Sequence, residues 1–208
     1  MKLLVLGATG KTGREVVARA LAAGHTVTAF VRSPAKLPIR DQLIAFVGNA
    51  EDSAQVRAAA IGQDAVISAL GHTSITTSSA LTNATRGAIE ALPAGVKFIS
   101  LTGYGVPDPH DPQPSLAGRL LTGVIKLAPG ELYEDGARHV ELLRKSKLSW
   151  TVLRAAVLTP GKATNKTELG YFKLSPKDTI SHADVAAAMV ACLTDDTWSR
   201  QSPMIRRT

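Results

Sequence analysis

A glycine-rich segment close to the N-terminus carries residue types at a spacing that suits phosphate binding. Residues 7–13, Gly-Ala-Thr-Gly-Lys-Thr-Gly, follow the short apolar run 3–6 and precede a segment with helical periodicity. Glycines permit a tight turn at the end of a strand, and the helix that follows presents free N–H groups and the positive end of its dipole. The sequence therefore predicts an anion site at this turn, formed by Gly7, Thr9, Gly10, Lys11, Thr12 and Gly13.

Two kinds of phosphate loop fit this segment in part, and the neighbouring residues distinguish them. Gly10-Lys11-Thr12 matches the end of the P-loop pattern, but that pattern requires glycine at position 5, where the sequence has Val5. A strand, a glycine-rich turn and a helix at the start of an alternating chain are typical of dinucleotide binding. We therefore disfavour nucleoside triphosphate hydrolysis and interpret Lys11 as a first-turn residue that reaches a pyrophosphate.

The end of the second predicted strand indicates which dinucleotide is bound. NAD-binding proteins place Asp or Glu about 20 residues after the glycines, whereas an Arg accommodates the 2′-phosphate of NADP. Here the segment reads Phe30-Val31-Arg32-Ser33 and contains no carboxylate. Arg32 can bind phosphate through two parallel hydrogen bonds, and Ser33 can donate another. NADP(H) is therefore the predicted cofactor; the alternative is that Arg32 is a solvated charge at a strand end.

The elements that must position these residues follow an alternating pattern. Apolar runs without in–out alternation predict buried strands at 3–6, 26–31, 43–47, 65–69, 97–101 and 150–154. Helical spacing and capping residues predict helices at 12–23, 53–60, 78–92, 133–146 and 183–193. The predicted class is α/β, a Rossmann-type doubly wound parallel sheet with helices on both faces. Its 208 residues make one domain, in which residues from about 155 to 208 complete a substrate pocket.

Two irregular segments interrupt this pattern, at 103–114, which has four prolines, and at 159–176. Ligands of open α/β sheets bind outside the carboxyl ends of the strands, and both segments leave from such ends. They are candidate walls of a substrate pocket, and variable surface loops are the equal alternative.

Composition and charge exclude several classes of function. The net charge of +7 favours anionic partners, but the basic residues are spread along the chain, and an aromatic content of 4% is too low for a base-stacking surface. We expect no nucleic-acid partner, no membrane span, no disulfide and no signal peptide, and hence a cytoplasmic monomer or small homo-oligomer. The single Cys192 lies in an apolar segment and is predicted to be buried.

The remaining polar candidates are weaker. Five histidines show no metal-ligand spacing, so no metal site is predicted, and only His72, at a strand end, is a functional candidate. His110 is a candidate pocket residue, with a solvated surface position as the commoner outcome. His139 and Arg138 are predicted to lie on a solvated, charged helix face. The hydroxyl-rich residues 74–79 are predicted to form a turn and the cap of the next helix, with binding of polar substrate groups as the alternative.

Several motifs together resemble those of one family. They are Gly7 to Gly13, Val31-Arg32-Ser33-Pro34, Val47-Gly48-Asn49-Ala50, Asp64-Ala65-Val66-Ile67 with Ala69-Leu70-Gly71, Trp150-Thr151-Val152-Leu153-Arg154 and Ile180-Ser181-His182-Ala183-Asp184-Val185. With them, most of the chain resembles the atypical short-chain dehydrogenases/reductases, particularly the group of biliverdin-IXβ (flavin) reductase and the NmrA-like proteins.

The resemblance implies a role for each matching position. Thr9, Gly10, Lys11 and Thr12 would surround the pyrophosphate and Arg32 the 2′-phosphate. The adenine would lie beside Asn49, where the family usually has Asp, and Ala50, with its ribose over Ala69, Leu70 and Gly71. The nicotinamide half would meet Thr102 at the ribose and Ala156, Val157 and Leu158 at the ring.

The sequence departs from the family at the groups that protonate substrate. Typical members use a Ser and a Tyr-x-x-x-Lys, in which the lysine lowers the tyrosine pKa. Here Gly103 occupies the Ser position, Gly136 aligns with the Lys, and Tyr133 is out of register. No catalytic side chain is therefore assigned.

Relatives that also lack these groups reduce flat conjugated rings. Such substrates need no positioned proton donor, because hydride transfer gives a delocalised anion that solvent can protonate. The resemblance thus implies an NADPH-dependent reductase whose substrate is a small molecule: a flavin, a biliverdin-like tetrapyrrole or a quinone. An anionic group on that substrate would match the net positive charge of the chain. The alternative is a non-catalytic NmrA-like sensor that reports NADP(H) to a protein partner. An isomerase or dehydratase on the same scaffold is a third possibility.

Overall fold

The structure is a computed structural model, and it describes residues 1–71, 79–113, 131–175 and 177–208. Within these residues the strands are β1 Lys2–Leu6, β2 Thr26–Val31, β3 Leu43–Val47, β4 Ala65–Ser68, β5 Lys97–Gly103, β6 Ser149–Ala155, β7 Val157–Thr159, β8 Thr167–Gly170, β9 Thr179–Ser181 and β10 Met204–Arg207. The helices are α1 Lys11–Ala22, α2 Ser53–Ala60, α3 Ala80–Ala91, α4 Glu131–Lys145 and α5 His182–Ala191, with a 3-10 turn at Pro34–Lys36.

The main sheet has eight strands in the order β3-β2-β1-β4-β5-β6-β10-β8. All neighbours pair in parallel except β10 and β8, which are antiparallel. Strands β7 and β9 form a separate parallel pair. The order 3-2-1-4-5-6 is that of a doubly wound dinucleotide-binding sheet, with the reversal of winding between β1 and β4. The predicted Rossmann-type fold is confirmed.

Helices cover both faces of the sheet and bury an apolar core on each. One core packs α1 and α5, through residues such as Val16 and Met189, against the strands. The other packs α2, α3 and α4, through residues such as Val56 and Leu143, against the opposite face. Residues Leu3, Leu4, Val5 and Leu6 of β1 are all fully buried, because successive side chains of a strand point to opposite faces and both are covered.

The six predicted strands are confirmed, with ends that differ by one or two residues, and four short strands were missed. Strands β8 and β10 extend the sheet beyond β6, although residues 159–176 were predicted to be irregular throughout. β10 is partly polar, with Arg206 and Arg207, because it lies near the sheet edge. The ion pair of Arg206 with Glu168 joins β10 to β8. Edge strands this short lack the continuous apolar run that identified the central ones.

The prediction of a solvated face at His139 is wrong. The His139 ring is fully buried. Its Nδ1 lies 2.8 Å from the Gly136 carbonyl oxygen, which can only accept, and its Nε2 lies 3.1 Å from the hydroxyl oxygen of Ser100 on β5. Arg138 is bonded to Glu134 on the exposed side of the same helix, as predicted. His139 thus fixes α4 against β5. Its charged neighbours in the sequence led to the wrong prediction that it is exposed to solvent.

The start of α3 is capped by a residue that the sequence did not indicate. Ser79 occupies the N-cap position without a side-chain cap bond. The buried carboxylate of Asp135 on α4 instead accepts from the backbone N–H groups of Leu81 and Thr82, both at 3.0 Å, and from the Thr82 hydroxyl at 2.5 Å. The predicted cap at 74–79 is therefore corrected for Ser79; residues 74–78 lie outside the described residues.

Other general predictions concern membranes, metals and the cysteine. None of the helices within the described residues has the length and apolar character needed to cross a membrane. In the same residues, His, Cys, Asp and Glu form no cluster of three that could hold a metal ion. Cys192 is buried, as predicted, and burial raises the pKa of its thiol to about 11.

Candidate cofactor site

The turn after β1 is built around two glycines that allow very close backbone contacts. Gly7 has φ +74°, and a Cβ added there would lie 2.8 Å from the Ala69 carbonyl oxygen. A Cβ on Gly13 would lie 2.0 Å from the Gly7 carbonyl oxygen. Both positions therefore require glycine. Gly7 also brings this turn against Ala69 and Leu70 after β4, two further residues of the predicted site.

The first turn of α1 presents backbone donors with no intrahelical partner. Gly10 is the N-cap and has no side chain to satisfy them, and the first helical bond runs from Arg14 N to Gly10 O at 2.9 Å. The N–H groups of Lys11, Thr12 and Gly13 precede that bond. No acidic residue lies in the first turn, and the Lys11 side chain is exposed. Thr9 is partly exposed at the same turn. The arrangement fits a pyrophosphate.

His182 contacts this turn. It lies in the motif from Ile180 to Val185, and no role was assigned to it from the sequence. The Thr12 hydroxyl oxygen lies 2.8 Å from Nδ1 of His182, the first residue of α5. Thr12 is only 5% exposed, because α1 packs against α5. Burial lowers the pKa of His182, the charge of Lys11 lowers it further, and Glu15 opposes both.

At the end of β2, Arg32 is exposed and has no hydrogen-bond or ion-pair partner among the described residues. The Ser33 hydroxyl accepts weakly from Ala35 N, at 3.5 Å, and so begins the 3-10 turn. Lys36 is also exposed. An unpaired guanidinium at the sheet edge fits a phosphate.

The turn after β3 determines what Asn49 can offer to a ligand. Its side-chain oxygen accepts from Glu51 N at 3.1 Å, and its backbone N–H donates to Gln55 Oε1 at 2.9 Å. The exposed amide group of Asn49 is then left with its N–H donors. An Asp in this place would offer an acceptor, so the sequence departure reverses the polarity of the predicted adenine contact. Ala50, next to it, is partly buried.

At the carboxyl end of β5, the helix α4 approaches too closely for a side chain. A Cβ on Gly136 would lie 2.7 Å from the Thr102 hydroxyl oxygen and 2.9 Å from Cγ2 of Val106. A lysine at position 136 would therefore clash with the β5 end. Gly103 is exposed, with open space where its Cβ would be. Thr102 itself is partly exposed and pairs with Arg154 of β6.

The segment after β6 places apolar side chains at the same edge of the sheet. Ala156 is buried, Leu158 is partly buried and Val157 is 45% exposed. Val157 begins β7, and its backbone N–H donates to the Asp178 carbonyl oxygen at 3.1 Å. An exposed valine at this edge fits one face of a flat ring.

A buried ionic network holds the first candidate wall in place. Arg154 is fully buried and donates from Nη1 and Nη2 to the two carboxylate oxygens of Asp111, at 2.8 and 2.5 Å. It also donates to the carbonyl oxygens of Val106 and Ser202, at 2.8 and 2.7 Å. The loop after β5 is thereby fixed to β6 and to the C-terminal segment.

Asp108 forms the second part of this network. It is bonded to Arg144 on α4 at 2.7 Å, to His110 Nδ1 at 2.8 Å and to the Ser202 hydroxyl. Burial alone would raise the pKa of Asp108, but the hydrogen bonds from Ser202, His110 and Arg144 lower it to about 2. The carboxylate therefore stays charged and keeps its partners near neutral pH.

The two candidate walls meet in an aromatic contact. The rings of His110 and Tyr171 lie 5.1 Å apart, and the Arg154 guanidinium lies 5.7 Å from the centre of the Tyr171 ring. His110 comes from the segment after β5 and Tyr171 from the segment after β8. Burial, then the nearby Asp108, raise the pKa of Tyr171. The described parts of the two segments, 103–113 and 159–175, therefore contact each other, and residues 114 and 176 lie outside the described residues.

The structure brings the predicted site residues to one edge of the sheet, the carboxyl ends of the parallel strands. Gly71 is exposed just after β4. The next residue, His72, lies outside the described residues. Sequence reasoning missed His182 and the network around Arg154. An arginine at the end of an apolar strand was a signal for that network, but its partner Asp111 is 43 positions away and could not be identified.

Comparison with known proteins gives a family and a fold. A family model described as NAD(P)H-binding matches residues 7–196. A candidate NADH-flavin reductase from Streptococcus pneumoniae is 25% identical, with all of both chains covered and a TM-score of 0.77. The anaerobilin reductase ChuY from Escherichia coli is 23% identical over 100% of this chain and 97% of that one, with a TM-score of 0.76.

A third similar structure has a different description, a candidate epimerase from Bacteroides thetaiotaomicron. It is 24% identical over 99% of this chain and 96% of that one, with a TM-score of 0.78. The shared fold is thus compatible with more than one activity. The family match and the glycine turn agree on the ligand. The chain belongs to the NAD(P)H-binding family, whose cofactor is a nicotinamide dinucleotide.

Proposed function

We propose that the protein is an NADPH-dependent oxidoreductase that reduces a flat conjugated small molecule without the Ser-Tyr-Lys proton donors. The observation that carries this proposal is the tight packing at Gly136, where an added Cβ would lie 2.7 Å from the Thr102 hydroxyl oxygen, so that a lysine there would clash with the end of β5. Gly103 lacks the hydroxyl of the usual serine. A substrate that needs a positioned acid, such as an isolated ketone, is therefore a poor match for this site.

The chemistry requires little from the side chains. When bound, NADPH supplies a hydride, that is, one proton with two electrons. A flavin, a quinone or a bilin-type tetrapyrrole takes the hydride into a conjugated ring system and spreads the negative charge, and water then supplies the proton. The residues of the site need only hold two flat rings face to face and exclude water between them. We assign this role to Val157 and to the segments that carry His110 and Tyr171.

Binding of the dinucleotide is assigned to the residues described above. The first turn of α1, with Gly7, Thr9, Gly10, Lys11, Thr12 and Gly13, would hold the pyrophosphate. Arg32 and Ser33 would hold the 2′-phosphate, which favours NADPH over NADH. Asn49, Ala50, Ala69, Leu70 and Gly71 would line the adenosine half. The nicotinamide half would lie against Thr102, Ala156, Val157 and Leu158.

The substrate class is supported by two of the similar structures. One is described as an NADH-flavin reductase candidate and the other as an anaerobilin reductase, and both activities involve a conjugated ring. Residues from about 155 to 208 would complete the pocket within a single domain. A cytoplasmic location, a monomer or small homo-oligomer and an anionic substrate remain predictions.

The test is oxidation of NADPH and of NADH, followed by absorbance, with FMN, biliverdin and a naphthoquinone as acceptors and with a simple ketone as the control substrate. We expect turnover with at least one conjugated acceptor, faster with NADPH, and none with the ketone. Tight NADPH binding without turnover on any acceptor would refute the reductase and favour the NADP(H) sensor. Turnover of the ketone would contradict the argument from Gly136.

A further inference from the structure

The contact between Thr12 and His182 is not used by the function proposed above. Thr12 belongs to the turn that would hold the pyrophosphate, yet its hydroxyl oxygen lies 2.8 Å from His182 Nδ1 and its side chain is buried. His182 is the first residue of α5, and Thr12 is the second residue of α1. The N-termini of two helices, both positive dipole ends, thus meet at this pair.

The state of the imidazole decides what the Thr12 hydroxyl can do. If Nδ1 carries no proton, the hydroxyl donates to it and offers only lone pairs elsewhere. If Nδ1 carries a proton, as in the imidazolium and in one of the two neutral tautomers, the ring donates to the hydroxyl oxygen, and the hydroxyl proton becomes free for another acceptor. Of these two forms, the imidazolium is the one whose charge a neighbouring anion stabilises. A pyrophosphate oxygen is an acceptor only. The second state therefore suits an anion in the turn and the first does not.

The charges around His182 favour the neutral ring while the turn holds no anion. Burial lowers the pKa of His182, and so does the charge of Lys11 on α1; Glu15, on the same helix, opposes them. On its own helix, the Asp184 carboxylate is bonded to Ser181 and to the Thr164 and Asn165 backbone N–H groups. A negative pyrophosphate beside Thr12 would shift this balance towards the protonated ring.

We propose that His182 is a positioning residue of the dinucleotide site, which takes up a proton when the cofactor binds and thereby turns the Thr12 hydroxyl towards the pyrophosphate. This inference rests on the proposed function only in its placement of the pyrophosphate at the first turn of α1. Its consequence is that the cofactor binds more tightly as the pH falls, because binding and protonation favour each other. A change of one pH unit in the midpoint of His182 corresponds to about a tenfold change in affinity.

The test compares wild-type protein with His182→Asn, which keeps a polar atom near the Nδ1 position but does not titrate. Calorimetry gives the affinity for NADP⁺ between about pH 5.5 and pH 8.5, on either side of the usual histidine range, and buffers of different ionisation enthalpy give the number of protons taken up. The 2′-phosphate of the ligand itself titrates at about pH 6, so only the difference between the two proteins is interpreted. His25→Asn is the matched control, because His25 precedes β2 and lies at the opposite end of the strands.

As the pH falls, the affinity for NADP⁺ should rise about tenfold more in wild type and in His25→Asn than in His182→Asn. These two proteins should also take up more protons on binding NADP⁺ than His182→Asn does. Identical pH profiles and proton counts in wild type and His182→Asn would overturn the role of His182 but leave the proposed reductase intact. Wild-type protein that binds no NADP⁺ at any pH would overturn the cofactor assignment, and this inference with it.

A measurement on unaltered protein covers the case in which the variant does not fold. The His182 ring is followed by ¹³C NMR through a pH titration, with and without NADP⁺. We expect the midpoint to rise by about one pH unit on binding. A midpoint that does not move would overturn the proposal.

Discussion

Arg32 provides the sharpest prediction, because its side chain is exposed and has no partner among the described residues. Replacing it by alanine therefore removes no contact of the fold described above and should leave stability within about 0.5 kcal/mol of wild type. What it removes is a guanidinium at the end of β2. Hydrogen bonds to a charged group contribute about 1.5–3 kcal/mol, so the variant should lose roughly 10- to 150-fold in kcat/KM with NADPH.

The matched measurement uses NADH, which lacks the 2′-phosphate. Arg32→Ala should change kcat/KM with NADH by less than about threefold, since no phosphate contact is lost. Arg57→Ala is the control, because Arg57 is also exposed, lies on α2 and has the same charge. It should leave both cofactors unaffected. An equal loss with NADPH and NADH in Arg32→Ala, or no loss with either, would refute the assignment of the 2′-phosphate to Arg32.

Three further predictions test other parts of the account. Gly136→Ala should lower the free energy of unfolding by about 1–3 kcal/mol because of its contact with Thr102, whereas Gly103→Ala should not, and equal denaturant midpoints would contradict this. Asp108, whose pKa is lowered from 3.8 to about 2, stabilises the fold fully above about pH 4 and loses that contribution as the pH falls towards 2. Asp108→Asn should therefore cost about 2 kcal/mol in urea unfolding at pH 7 and far less near pH 2; a pH-independent cost would be the wrong result. Cys192, with its thiol pKa near 11, should react with iodoacetamide at pH 8 only in denaturant, and rapid labelling of the native protein would contradict its burial.

The sequence predicted those parts of the fold that leave a local signal. Strand β1 was identified because four consecutive apolar residues precede a glycine turn, and the doubly wound parallel sheet was predicted from the alternation of strands and helices. Strand β10 was missed because half of it is Arg206 and Arg207, and its place beside β6 depends on a chain segment 50 residues away. Local periodicity carries no information about such a pairing.

The glycine turn of the site was predicted better than the packing of α4 on β5. Gly7 and Gly13 could be read from the motif, and the structure adds the reason, a backbone contact that a Cβ would occupy. His139 was misjudged because Glu134, Arg138 and Glu141 surround it in sequence, although the burial of Asp135 and His139 one turn apart follows from the packing of α4 on β5. Which face of a charged helix is buried depends on its tertiary partner, and the sequence alone does not supply that.

The most direct test of the central claim is the fate of the hydride. Protein is mixed under anaerobic conditions with a conjugated acceptor and NADPH that carries deuterium at the transferred position of C4. We expect one NADPH to be consumed for each acceptor that is reduced by two electrons, and the reaction to be slower with the deuterated cofactor. Wild type and Gly103→Ala should behave alike. Binding of NADPH with no oxidation in the presence of FMN, biliverdin or a naphthoquinone would contradict it.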